Sequence, residues 1–259
     1  MTIILALFVF AFGAAIGSFL NATVWRLRTG ENFVTGRSHC PKCFHKLSAF
    51  DLVPILSYLF LRGRCRYCHT GIAWQYVLVE GAVGALFLAA AGSLAPADYA
   101  WSTDLLLSLL FHWFVIAGMT VVFLYDLRYM LILRKVTVPL TALAFLGSLG
   151  LGMGLVELIV GAAVGFGFFW LQMVFSKGRW IGGGDLHLGL LMGVILGWPR
   201  IALALWLAYV VGAVVALALM WRGRHGWKSQ LPFGTFLAAA TVASLLFGER
   251  LLGWYFGWL

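Results

Sequence analysis

Long apolar runs alternate with short polar connections along the whole chain. Eight runs are candidates for membrane-crossing helices: residues 2–24, 72–95, 103–125, 136–153, 155–176, 186–198, 201–221 and 231–247. A helix needs about 20 apolar residues to cross the hydrocarbon core. The sixth run is short for this and is expected to be tilted, kinked or partly re-entrant. One polar stretch, residues 26–71, is much longer than the others and too small to build a conventional core alone. The pattern predicts an all-α polytopic membrane protein with about eight spans. A first helix covers 1–25, a small loop domain 26–71 and a membrane-embedded remainder 72–259.

Composition sharpens this picture. Of 259 residues, 63% are hydrophobic and 10% charged, where soluble domains run at about 45–50% and about 25%. The net charge of +9 raises nucleic acid as a partner, but its distribution points elsewhere. The Lys and Arg residues cluster in alternate connections: Arg26 to Arg66, Arg128 to Lys135, Lys177 and Arg179, and Arg222 to Lys228. That is the positive-inside pattern. It places both termini outside and 26–71 in the cytoplasm, with anionic lipid heads rather than nucleic acid as the partner of the charge. No Lys or Arg precedes the first run, so it reads as a retained span, not a secretory signal.

The loop 26–71 holds all four cysteines: Cys40 and Cys43 in "HCPKC", Cys65 and Cys68 in "CRYC". Disulfides rarely persist in the cytoplasm. Two close thiolate pairs suit tetrahedral zinc, which also supplies the folding energy that a small loop lacks; the plainer alternatives are a redox pair or idle thiols. Such a closed site shapes the loop and performs no hydrolysis. His39, His45 and His69 are expected beside the metal and not on it. Between the pairs, "AFDLVPILSYLFLRGR" carries an apolar run too short to span, expected on the membrane surface or against the bundle.

Ionisable groups at membrane depth are few, and each is a candidate. Asp98 and Asp104 read as solvated loop and cap residues, Glu157 as a charge at a helix N-terminus, and Glu249 as part of an outer tail. His112 reads as a structural histidine facing the bundle. Glu80, within the second span, is open between a structural hydrogen bond and a functional group. Asp126 in "VVFLYDLRYM" and Asp185 in "GGGDLHL" fall at the same membrane face under this topology. Two carboxylates in one site can share a proton, one activating water while the other polarises a peptide carbonyl. The plainer alternative pairs each with Arg128, Lys135, Lys177 or Arg179. Gly182 and Gly184 permit positive φ and close approach by another chain. Asp185 follows them near a helix N-terminus, which favours negative charge. "GAAVGFGFF", 161–169, permits close packing against a substrate helix or, more simply, against another span.

Together these segments resemble the type IV prepilin peptidases, the bifunctional leader peptidase and N-methyltransferase family. The resemblance is carried by "GSFLNATVWRL", the two C-x2-C pairs around "DLVPILSYLFLRGR", "QYVLVEGAVGALF", "DLRYMLIL", "GGGDLHL" and "LPFGTFLA". It implies an intramembrane aspartyl protease of the bacterial inner membrane. Such enzymes cut the basic leader of type IV prepilins or type II secretion pseudopilins after a glycine at the cytoplasmic face. Many then methylate the new N-terminus with S-adenosylmethionine. Carried over by motif, Asp126 and Asp185 are the catalytic pair and the four cysteines bind the metal. Glu80, His187, Pro232, Phe233 and Gly234 are supporting residues. Two departures stand out: Leu133-Arg134 replaces a Pro-Asp pair, which bears on the local loop shape, and His187 replaces a lysine, which makes it a candidate to tune the site or bind substrate. The alternatives are a peptidase without methylation, a proton-relay transporter and a non-catalytic zinc-bearing pilus assembly protein. The transporter is disfavoured by carboxylates at one edge and by the lack of a repeat.

Overall fold

The computed structural model describes residues 2–32, 36–95, 102–222 and 231–257. Asp98, Arg224 and Lys228 lie outside the described residues. Within them, nine α-helices follow one another: α1 (Ile3–Thr29), α2 (Leu56–Phe60), α3 (Gln75–Leu94), α4 (Thr103–Tyr129), α5 (Arg134–Gly150), α6 (Leu155–Ser176), α7 (Gly183–Leu196), α8 (Arg200–Trp221) and α9 (Phe233–Phe256). Each of the eight apolar runs is one of these helices, and α2 is a single short turn inside the polar stretch. No strand occurs among the described residues, only two isolated bridges, His39 with Lys46 and Arg64 with Gly71.

Six helices, α1, α3, α4, α6, α8 and α9, are long and apolar enough to cross a membrane. The chain is a multi-pass membrane protein. α5 has 17 residues and α7 has 14. At about 1.5 Å per residue α7 is roughly 20 Å long, short of a core about 30 Å thick. Gly197, in the left-handed region at φ 63, ends it, and α8 starts immediately after Pro199.

The structure divides into two units, Met1–Trp101 and Ser102–Leu259. In the first, α1 packs on α3. Thr2 caps α1 through the Leu5 N–H, and Gly30 at φ 78 stops it. α1 runs past the apolar stretch because its last turns stay packed: Arg26 is buried and reaches Ser38 Oγ at 3.4 Å.

In the second unit, α7 is the central helix. Every residue from Leu191 to Gly197 is buried. It packs against α5 and α6, and α4 and α8 pack against α9. The α6–α7 seam is made of glycines: a side-chain carbon added at Gly165 or Gly193 would overlap backbone of the facing helix, at Gly189 and Gly161 respectively. The small residues of 161–169 therefore serve span-to-span packing, the simpler of the two readings of that stretch. Glu249 differs from expectation. α9 continues beyond 247 to Phe256, so Glu249 lies in a helix, where it pairs with Arg200 at 3.5 Å. Polar residues at a helix end extend a span into the interface, and an apolar count alone misses this.

Candidate functional site

Asp126 lies in the last turn of α4 and is buried. Its Oδ2 accepts hydrogen bonds from the Thr235 N–H at 2.8 Å and the Thr235 hydroxyl at 3.2 Å. Pro232 is the N-cap of α9, so Thr235 is its third residue. The first N–H groups of a helix have no partner inside the helix. Asp126 thus caps α9 from a different helix. The contact requires Gly234, because an added side-chain carbon there would stand 3.0 Å from Asp126 Cγ and Oδ2. Phe233 seats the same turn by packing edge-on against Tyr209, ring centroids 4.8 Å apart.

Asp185 is the third residue of α7, and its Oδ2 accepts the Gly182 N–H at 3.1 Å. The carboxylate folds back over the start of its own helix. Ile132 borders both Gly234, which faces Asp126, and Gly184, the residue before Asp185. The two sequence-marked aspartates thus stand around one connection, between α4 and α5, within a single unit. Neither forms an ion pair with Arg128, Lys135, Lys177 or Arg179 among the described residues.

The glycines before Asp185 act differently from expectation in one respect. None of Gly182, Gly183 and Gly184 has a positive φ, and Gly182 is extended at φ −83. Close approach is real at Gly184, where an added carbon would come within 2.9 Å of Ile132 Cβ. Ile132 also bounds Gly234, so the α4–α5 connection wedges between the starts of α7 and α9. The departure at Leu133-Arg134 falls here. Leu133 is the N-cap of α5, and Arg134 directs its guanidinium at Gly183, 3.3 Å from the position of an added carbon. His187 is two residues past Asp185, about 200° around the helix. It lines a cleft between α5 and α6 with Thr141, Phe145 and Leu190, away from the side that carries Asp185.

Sequence reasoning missed Thr235 and Ile132, and marked Arg134 only as part of a departure in loop shape. The signal for Thr235 was its place directly after Pro232-Phe233-Gly234. We expect Gly234→Ala to push Asp126 off its seat and lower turnover by about a hundredfold, since misplacements near 1 Å cost that much. Peptide cleavage by purified protein of unchanged metal content measures this.

The first unit carries a second cluster. The Sγ atoms of Cys40, Cys43, Cys65 and Cys68 all lie within 4.8 Å of one another and form a group able to hold a metal ion. Each pair sits in the same turn. Cys40 N–H bonds to His45 O and Cys65 N–H to Thr70 O, and Phe44 and His69 both take φ 56. The histidine rings have other neighbours: His39 packs on Trp25 and Phe44, and His45 on Tyr67. Asp51 ties the halves of the loop together. It accepts from Ser48 N–H and Oγ, from Tyr67 and, at 2.6 Å, from Arg66 Nε. Desolvation pushes its carboxyl up, but the hydrogen bonds from Arg66 and Ser48 and the Arg66 charge outweigh it and hold it at about 2. A carboxyl lowered from 3.8 to about 2 adds stability that is complete above pH 3.8 and lost as pH falls through about 2. Arg66→Ala should move that loss upward toward 3.8, read by carboxyl-carbon NMR of the labelled protein in nanodiscs.

Glu80 accepts the Ile55 N–H at 2.7 Å, so its structural hydrogen bond is present. It also lines a cavity of about 600 Å³ in this unit, together with Trp25, Arg26, Tyr58 and Tyr76.

Helices able to cross a membrane, two buried-edge carboxylates around one connection and a four-thiol cluster define a multi-pass protein of the intramembrane aspartyl peptidase kind. Residues 11–94 match the bacterial peptidase A24 N-terminal domain, and residues 113–217 match the type IV leader peptidase family. The chain is 32% identical to a prepilin leader peptidase/N-methyltransferase of Aeromonas hydrophila, over 95% of this chain and 92% of that one. It is 35% identical to one of Burkholderia pseudomallei (strain 1026b), covering 93% and 85%. It is 30% identical to one of Bacillus subtilis (strain 168), covering 95% and 96%. The chain belongs to the type IV leader peptidase family. No solved structure matches it.

Proposed function

We propose that the protein cuts the basic leader from type IV prepilins or type II secretion pseudopilins, after a glycine, at the cytoplasmic face of a bacterial inner membrane, and N-methylates the new N-terminal residue. The observation that carries the cleavage reading is that Asp126 and Asp185, held at the starts of α9 and α7, stand around the same residue, Ile132. Each carboxylate is held by backbone N–H groups at a helix start, Asp126 at α9 and Asp185 at α7. The ionised carboxylate takes a proton from water while the protonated one polarises the scissile carbonyl. Gly182 and Gly184 keep side chains off the approach to Asp185.

In this reading 1–25 is the first transmembrane helix, 26–71 the cytoplasmic metal-binding domain and 72–259 the peptidase core. Zinc is the metal that four thiolates suit best. Cys40, Cys43, Cys65 and Cys68 would hold it, and it would fix the loop's shape. S-adenosylmethionine, the methyl donor, presents a sulfonium, an ammonium and an adenine ring. The cavity of the first unit fits that chemistry in size and lining: Glu80 supplies negative charge, and Trp25, Tyr58 and Tyr76 supply aromatic faces for a cation. Attraction of a basic leader falls to Glu31 and the catalytic pair, since Asp51 is engaged by Arg66 and Glu80 faces the cavity.

The test is incubation of the purified chain in nanodiscs with a prepilin and S-adenosylmethionine, followed by intact mass of the product. Loss of the leader after glycine with one added methyl group is expected. A cut without the methyl leaves the peptidase alone, and an uncut prepilin favours a non-catalytic assembly protein.

A further inference from the structure

The apolar stretch between the cysteine pairs, "FDLVPILSYLF" at 50–60, has a geometry that its sequence does not reveal. α3 has 20 residues, about 30 Å, which only just matches the hydrocarbon core. Its first turns therefore stand at the membrane boundary. Glu80 is five residues beyond Gln75, about 7 Å along the helix, and it bonds to the backbone N–H of Ile55. The chain at Pro54–Leu56 thus lies beside the second turn of α3, below the helix end. Ile55, at φ 61, makes the reversal that brings it back.

Around this reversal, large apolar side chains point outward. Phe50 is 79% exposed and Phe60 83%, with Leu56 and Leu59 exposed between them. These values match the outward face of α1, where Phe8 is 68% exposed. A water-facing surface rarely carries such a patch. At the start of α3, the N-cap Trp74 and Leu78 are exposed apolar residues as well. Trp collects at membrane interfaces. The residues that follow, Arg62 and Arg64, are exposed cations, suited to phosphate headgroups.

We propose that residues 50–60 form an interfacial, partly re-entrant element that lies in the surface of the chain's own bilayer, with acyl chains against Phe50, Leu56, Leu59 and Phe60 and anionic headgroups at Arg62 and Arg64. Backbone N–H groups at that depth must be satisfied within the protein. Glu80 does this for Ile55. The metal loop is thereby held down on the membrane at its middle as well as by α1 and α3 at its ends.

The experiment places an environment-sensitive fluorescent amino acid at Phe60 of the full chain, in nanodiscs of phosphatidylethanolamine and phosphatidylglycerol brominated in their acyl chains. Leu78 on α3 and Lys42 in the first cysteine turn serve as reference positions. Quenching at Phe60 should approach that at Leu78 and exceed that at Lys42 by about threefold, as for an apolar face sunk about 5–10 Å into the boundary. Quenching no greater than at Lys42 overturns the proposal and leaves the patch in water or against a soluble partner. Metal content verifies the fold. If the label at Phe60 costs metal, the label at Leu59 decides by the same two outcomes.

Discussion

Asp126→Asn and Asp185→Asn are each expected to lower prepilin cleavage by about a thousandfold or more, with metal content and helicity unchanged. Asparagine keeps the size and the accepting oxygen. At position 126 it still receives the Thr235 N–H, and at 185 it still receives the Gly182 N–H. What it removes is a carboxyl able to hold or release a proton. The double variant should be little worse than either single one, because the two groups act as a unit. Cleavage followed in nanodiscs decides the matter. If either variant retains the full rate, the pair is not the chemical machinery, and the glycine-rich approach to α7 is only a helix start.

The second large effect concerns the thiol cluster. Cys65→Ser removes a buried member of the four. Structural metal binding is folding free energy for a loop of this size, on the order of 10–16 kcal/mol for small zinc modules. The variant should lose most of its bound metal, and amide exchange should accelerate throughout 36–72. Cys40 and Cys65 also bound the cavity that suits the methyl donor. Methylation should therefore be lost, while cleavage, which the proposal assigns to groups of the other unit, falls less. Metal analysis, exchange and product mass on one preparation separate these. Equal loss of both reactions would place the methyl donor elsewhere or make the loop necessary for cleavage.

The spans, the two aspartates and the thiol cluster were legible because the chain is sparing with charge and cysteine. With so few acids in so apolar a sequence, Asp126 and Asp185 stand out, and the two C-x2-C pairs need only counting. The helix lengths were legible to within a few residues, except where polar residues prolong a helix, as at Arg26 in α1 and Glu249 in α9. What escaped were contacts made by ordinary residues across the bundle. Thr235 is one threonine among several until α9 is laid against α4. Arg134 looks like a topology marker until α5 brings it over Gly183. Glu80 was open between two roles because its partner is a backbone N–H, which no sequence pattern records. His187 seemed to belong with Asp185, yet helical geometry turns it to the opposite side.

One feature limits how an inactive form should be made. Asp126 holds the start of α9 with two hydrogen bonds, whereas Asp185 bonds only within its own turn. Removing the side chain at 126 leaves buried donors unmet, a cost of about 1–3 kcal/mol, and frees α9 at its start. Removing it at 185 leaves the architecture standing. A version of the protein meant to capture uncut substrate for imaging, or to screen for tight-binding blockers, is best built by silencing position 185 and leaving 126 as nature has it.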